Sequence, residues 1–125
     1  MAGKKAKILI VEDDKTLLDM YKLKFEQEGF NILIALDGLI GLELIKKELP
    51  AVILLDIMMP KMDGFAVLAE LKKDKSTKDI PVLMLSNLGQ QSDVDKGKKM
   101  GADDYIVKAS MTPSQVVDKV KSYLK

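Results

Sequence analysis

The chain contains no cysteine, no histidine, no arginine and no tryptophan. Without cysteine there are no disulfides, no thiolate metal sites and no cysteine nucleophile. Without histidine the usual general base is gone, and any Ser-His-Asp arrangement with it. All 20 basic residues are lysine, so no planar fork is present for bidentate reading of guanine or phosphate, and direct DNA binding is not expected. An excess of one charge is lacking as well: 20 basic residues face 19 acidic ones, and a net charge of +1 creates no field that draws in a polyanion or an anionic membrane. After the basic start Met1-Ala2-Gly3-Lys4-Lys5-Ala6-Lys7, the first apolar stretch runs only from Ile8 to Val11. That is too short for a signal sequence or a membrane span, so a cytoplasmic protein without membrane insertion is expected.

What is present fits one globular domain. The 125 residues are 47% hydrophobic and 31% charged, a balance far from that of disordered chains, and a single domain over 1–125 is expected with residues 1–6 as a short basic tail. Five apolar runs, at about 7–11, 31–35, 51–55, 81–85 and 104–108, alternate with segments of helical spacing. Such alternation predicts parallel strands with crossover helices, and the continuous hydrophobicity of the runs predicts a sheet covered on both faces. Leu17, Leu18, Tyr21 and Phe25 form the stripe of a first helix that ends at Gly29. A second helix spans about Leu39 to Leu49 before Pro50, and a third, around Phe65 to Lys73, follows the Asp63-Gly64 turn. Ser92 with Asp95 reads as a capping box opening a fourth helix, whose apolar face is sparse apart from Val94 and Met100. Thr112 as N-cap, Pro113 at the first helical position and Gln115 at the third open a fifth, with Val116, Val117, Val120, Tyr123 and Leu124 as its buried stripe.

Polar residues stand where the apolar runs stop. Asp56 closes Val52-Ile53-Leu54-Leu55; Glu12, Asp13 and Asp14 follow Ile8 to Val11; Ser86 follows Val82 to Leu85; Lys108 follows Tyr105-Ile106-Val107. If the strands are parallel neighbours, these side chains share the C-terminal edge of the sheet, where open α/β folds bind ligands. A carboxylate there is too costly to bury unpaired. Glu12, Asp13 and Asp56 close together would repel one another, and a hard divalent cation such as Mg²⁺ relieves this while keeping waters of its own. A carboxylate balanced by metal and lysine can attack phosphorus to give an aspartyl phosphate, which makes Asp56 the candidate nucleophile. Lys108 would then pair with a phosphoryl oxygen and the Ser86 hydroxyl would donate to another. Asp14 is better read as a helix cap, and Met58, Met59 and Met62 as adaptable packing.

In this pattern the chain resembles the receiver domain of two-component response regulators, from Lys7 to Leu124. The resemblance implies a flavodoxin-like, doubly wound α/β fold whose five-stranded parallel sheet has the order 2-1-3-4-5 and carries five helices. Glu12-Asp13 is similar to the family's acidic pair, and Asp56 in Asp-Ile-Met-Met-Pro-Lys-Met-Asp-Gly to its phosphoacceptor. Ser86 matches the hydroxyl position, Tyr105 in Gly-Ala-Asp-Asp-Tyr-Ile-Val-Lys the switch aromatic, and Lys108 the lysine. By the same likeness Asp13, Asp56 and the Met58 backbone carbonyl bind Mg²⁺ directly, and Glu12 helps through water. The donor would be a histidine kinase or a histidine phosphotransfer protein, since this chain has no histidine to carry the phosphate. Phosphorylation would draw in Ser86, turn Tyr105 inward and change the face formed by the fourth helix, fifth strand and fifth helix, where a downstream protein would bind. A stand-alone, single-domain regulator is expected, monomeric or dimerising on phosphorylation, and no enzyme beyond its own phosphotransfer and slow autodephosphorylation.

The chain departs from the family pattern in places. Ala109 follows Lys108 where many relatives have proline after a cis peptide, so that bond's isomer is open. Asn87 follows the hydroxyl where a small residue is usual. Met58 and Leu88, two residues past Asp56 and Ser86, cannot hold a hydrolysing water strongly, which predicts slow dephosphorylation. Three rival readings are weaker. A pseudo-receiver scaffold would not need the acidic pair, Asp56 and Lys108. A haloacid-dehalogenase-like phosphatase needs an acid at position 58, and a flavodoxin-like FMN carrier needs a Ser/Thr/Gly loop where Glu12-Asp13-Asp14 stands.

Overall fold

The computed structural model describes residues 6–59, 61–87 and 91–124. Pro60, Leu88 and most of the N-terminal tail lie outside that set, and the role expected of Leu88 with them. Strands β1 (Lys7–Val11), β2 (Asn31–Ala35), β3 (Val52–Asp56), β4 (Val82–Ser86) and β5 (Asp104–Val107) alternate with helices α1 (Lys15–Gln27), α2 (Gly38–Glu48), α3 (Gly64–Lys73), α4 (Gln91–Lys99) and α5 (Pro113–Lys121). All strand pairs are parallel, in the order β2-β1-β3-β4-β5. The doubly wound α/β fold expected from the sequence is the one observed.

Alternation along each strand divides the core in two. Ile8 and Ile10 of β1, Val52 and Leu54 of β3, and Leu83 and Leu85 of β4 join Leu18, Tyr21 and Phe25 of α1 and Val116, Val117 and Val120 of α5. Their neighbours Leu9, Val11, Ile53, Leu55, Val82 and Met84 point the other way, to Ile45 of α2 and Val67, Leu68 and Leu71 of α3. Successive strand residues face opposite sides of a sheet, so a strand roofed on both must be apolar throughout. Every residue of β3 and β4 is buried, whereas the edge strand β2 leaves Ile34 exposed.

Local signals set most of the boundaries. The Thr112 hydroxyl accepts from the Gln115 backbone N–H and the Gln115 side chain accepts from that of Thr112, closing the expected capping box. Gly29 takes φ +92° just past α1, the left-handed conformation that ends a helix without the strain of a side chain. The box expected at Ser92 is not formed. The helix already includes Gln91, whose amide donates to Asp95 Oδ1 at 3.0 Å, an i,i+4 pairing that leaves Ser92 inside the first turn. Strands β3 and β4 also run one residue further than their apolar runs, so Asp56 and Ser86 are strand residues while Lys108 lies just beyond β5.

Candidate functional site

Strand order reverses between β1 and β3, because β1 leads outward to β2 and β3 leads outward to β4. Open α/β sheets part their connecting loops at such a point and leave a crevice at the carboxyl ends. Val11 pairs with Leu55, so Glu12 and Asp13 emerge beside Asp56. Asp56 pairs with Leu85 and Ser86 with Val107, and the Lys108 backbone N–H donates to the Ser86 carbonyl at 2.9 Å. Every candidate polar residue is thereby placed by strand register, the most rigid part of the fold.

Lys108 Nζ lies 2.7 Å from Glu12 Oε1 and 3.0 Å from Asp56 Oδ2. Glu12 is 1% exposed and Asp56 3%, and the lysine side chain retains 17%. Burial is the largest influence on Glu12 and raises its pKa to about 7; the Lys108 contact and the Asp14 N–H pull it down, and the Asp56 charge adds to the rise. Burial also works against the charged Lys108, but its contacts with Glu12 and Asp56 outweigh that and hold its pKa above the usual value. One positive charge thus stands between two buried acids and cannot neutralise both. Glu12, Asp13 and Asp56 each offer an oxygen within 4.8 Å of the others', with Asp13 exposed at the rim. A set of hard oxygen donors, one open to water, is the kind Mg²⁺ takes.

The surrounding backbone holds this arrangement. The Met58 N–H points to Asp56 Oδ1 at 3.4 Å, and the residue, 61% exposed, is open to water rather than packed in the loop as expected. Asp14 caps α1 by accepting from the Thr16 and Leu17 N–H groups, the role expected of it. Gly64 packs so closely on Asp56 that an added Cβ would meet the Asp56 carbonyl oxygen. Gly38 meets the Met62 carbonyl in the same way, and Lys61 reaches Asp37 Oδ2 at 3.8 Å, joining the start of α2 to the loop after β3. Asp37, Lys61 and Gly38 carry no sequence motif that would have marked them as supports of the site; only the fold brings them there. No peptide bond among the described residues is cis, so the bond left open between Lys108 and Ala109 is trans.

Ser86 and Tyr105 lie on the flank leading away from the acids. The buried Ser86 hydroxyl donates to the Ile106 carbonyl at 3.2 Å and is engaged with β5. Tyr105 is half-buried against the α2-α3 side of the core, with Lys98 Nζ 4.8 Å from its ring centroid. Asp56, Glu12, Asp13 and Lys108 therefore converge, whereas Ser86 is bonded to β5 and Tyr105 lies against Lys98 on the adjoining strand. Sequence reasoning missed a network on the same flank: Asp104 Oδ2 accepts from Tyr123 at 2.7 Å and from Lys119 at 3.1 Å.

Comparison with known proteins agrees with this geometry. Residues 8–121 match the family model described as the response regulator receiver domain. The chain is 44% identical over 102 residues to the DNA-binding dual master transcriptional regulator RpaA of Synechocystis, covering 82% of this chain and 42% of that protein. It is 37% identical over 121 residues to a probable transcriptional regulator, ycf27, of Guillardia theta, covering 97% and 46%. Among solved structures, a putative response regulator from Chloroflexus aurantiacus superposes with a TM-score of 0.90 at 32% identity, covering 96% of this chain and 98% of that one. The chemotaxis response regulator CheY4 of Vibrio cholerae gives 0.89 at 27%, covering 97% and 100%. The chain spans about half the length of the curated relatives it matches. The expectation of no direct DNA binding is overturned by these relatives, one of which is named as DNA-binding. It was drawn from the lysine-only composition of 125 residues, which is silent about the rest of proteins twice as long, and length alone was the support for a stand-alone regulator. Among the described residues no helix is long and apolar enough to cross a membrane.

Proposed function

Because the chain belongs to the response regulator receiver family, we propose that Asp56 accepts a phosphoryl group from a phosphohistidine donor and that the modification changes what the domain binds. The observation that carries this reading is the placement of one lysine across two buried acids at the switch point of the sheet. A carboxylate oxygen of Asp56 attacks phosphorus as the P–N bond of the donor breaks and its electron pair returns to the imidazole. Catalysis of this kind is positioning and charge neutralisation, with little covalent work for the protein. Lys108 leaves Glu12 to pair with a phosphoryl oxygen, a short motion for an ammonium already 3.0 Å from Asp56. Glu12, Asp13 and Asp56, with the Met58 carbonyl, would hold Mg²⁺, which when bound offsets the negative charge gathering at phosphorus.

The signal leaves through Ser86. Its hydroxyl has to give up the Ile106 carbonyl to reach a phosphoryl oxygen, which frees β5 next to Tyr105. Tyr105, half-buried, then has an inward position open to it, and a two-state element is biased by one local bond. With no hydrogen-bonding side chain at Met58 to steer a hydrolysing water, the acyl phosphate is lost slowly.

Intact mass after incubation with acetyl phosphate and Mg²⁺ tests the reading. One phosphate on the wild type and none on Asp56→Asn is expected; equal labelling of both would refute the assignment. A phosphate lost within seconds in the presence of Mg²⁺ would overturn the slow release.

A further inference from the structure

Among the described residues, two other than glycine have a positive φ: Leu49, which ends α2, and Lys61, at +68° in the loop after β3. A side chain in that left-handed conformation is strained and persists only where its surroundings hold it. Lys61 is held from α2. Its Nζ lies 3.8 Å from Oδ2 of Asp37, a carboxylate whose side chain is 9% exposed and whose Oδ1 caps the helix by accepting from the Ile40 N–H at 2.9 Å. The first turn of α2 also touches both strand tips that carry the acids. Gly38 packs so closely on the Met62 carbonyl, in the loop after β3, that no Cβ fits between them, and a Cβ at Gly41 would come within 2.9 Å of the side chain of Val11, the residue before Glu12. With bare backbone at both contacts, the head of the helix is a rigid spacer between the Glu12-Asp13 tip and the Asp56 loop.

We propose that Asp37 and Lys61 are positioning residues that tune the divalent-ion site toward Mg²⁺: their pairing clasps the loop after β3 to the head of α2 and so fixes the spacing of the oxygen donors on the two tips. The proposal rests on the reading of Glu12, Asp13, Asp56 and the Met58 carbonyl as the ion's ligands. Neither Asp37 nor Lys61 belongs to the donor cluster itself. Mg²⁺ demands near-ideal octahedral geometry at short distances, whereas Ca²⁺ accepts a larger and more flexible shell, so selectivity between them depends on how rigidly the donors are spaced. Met58 stands three residues before Lys61 on the clasped loop, and Glu12 and Asp13 leave β1 directly after Val11. Loosening the clasp therefore costs Mg²⁺ more than Ca²⁺.

Asp37→Asn keeps a cap for α2 and removes the charge that faces Lys61. Lys61→Met removes the ammonium and keeps an unbranched side chain on the same backbone. Titrations with Mg²⁺ and with Ca²⁺, followed by amide NMR, give both dissociation constants for each variant. Charge alone moves the two ions together, because both are divalent: the first substitution weakens both and the second strengthens both. The ratio of the two constants cancels that effect and reads the spacing. Preference for Mg²⁺ over Ca²⁺ is expected to fall by about 2- to 5-fold in each variant, the size of one ion pair with a partner at the surface. In the double variant it falls by the same factor, since either substitution already opens the clasp. Ratios that stay at the wild-type value would overturn the proposal, as would a double variant that loses the product of the two single losses. A wild type that binds neither ion would defeat the reading of the site as a metal centre, and the metal-free spectra then judge the clasp alone. A Met58 amide signal displaced in both variants supports it, and one that stays put in both overturns it.

Discussion

Two clusters at the carboxyl edge and the β5 flank are made of nearly the same parts and behave in opposite ways. At the crevice, Lys108 faces Glu12 and Asp56; on the flank, Lys119 and Tyr123 face Asp104. Burial opposes ionisation of both Glu12 and Asp104. At Glu12 it wins, and the pKa rises to about 7. At Asp104 it is outweighed by the hydrogen bonds from Tyr123, the Tyr105 N–H and Lys119, and the pKa falls below the usual value. Tyr123 shows the other side of that bond, its pKa pushed up to about 12 chiefly by the carboxylate it donates to. The difference is in how the donors are shared: Glu12 and Asp56 each have one backbone N–H and divide a single lysine between them, whereas a backbone N–H, a phenol and a lysine all converge on Asp104. The first cluster is left short of positive charge and the second is complete.

The comparison breaks most sharply at the lysines. Lys108→Ala leaves two acids buried with no cation and is expected to cost about 3 kcal/mol in urea unfolding at neutral pH, whereas Lys119→Ala, at a half-exposed pair, costs under about 1 kcal/mol. Equal losses would mean that burial does not separate the clusters. Next in size is the pH response. Glu12 has a folded pKa above its unfolded value, so the native state binds the extra proton between about pH 4.5 and about pH 7, and stability falls as pH rises through that window. The fall is on the order of 3 kcal/mol at most, from 1.36 kcal/mol per pKa unit. Asp104, with its pKa depressed, contributes stability that is present above the unfolded carboxylate range and lost as pH falls below it. Thermal midpoints of the metal-free protein should therefore peak near pH 4 to 5, between the two windows. Saturating Mg²⁺ should raise the midpoint above pH 7, through a stabilisation of about 3 kcal/mol at a hundred times its dissociation constant, and flatten the decline. A metal-free midpoint that climbs from pH 5 to pH 8 would contradict the assignment to Glu12.

Smaller changes sharpen the contrast. Tyr123→Phe removes one of three donors to Asp104 and should lower stability by about 1 kcal/mol, with no effect on phosphorylation, readable by melting and intact mass together. Lys98→Ala, which strips the cation from the Tyr105 ring, should cost about 0.5 kcal/mol and shift the Tyr105 NMR signals toward those of the beryllofluoride form. Signals unchanged by the substitution would show that Lys98 has no hold on the aromatic.

The strand tips were legible because register and chemistry coincide there. Continuous apolar runs ending in Asp56, Ser86 and Lys108 announce a sheet covered on both faces with polar ends, and the Thr112-Pro113-Gln115 signal marks α5 to the residue. The start of α4 was misplaced because Ser92 and Asp95 satisfy a four-residue pattern that Gln91 and Asp95 satisfy differently. The Asp104, Lys119 and Tyr123 network was invisible because its members are 15 and 19 residues apart and meet only through the packing of α5 on β5. Tyr21 was read, correctly, as part of the α1 stripe; periodicity reports the side of the ring and says nothing of its oxygen. Glu12 and Asp13, adjacent in sequence, differ most in surroundings, one buried and one exposed.

Gly64 leaves no space for even a methyl group between the start of α3 and the Asp56 carbonyl. Any side chain at position 64 would push on the backbone that carries Asp56, so the bare glycine sets how closely the head of α3 can seat against the strand tip.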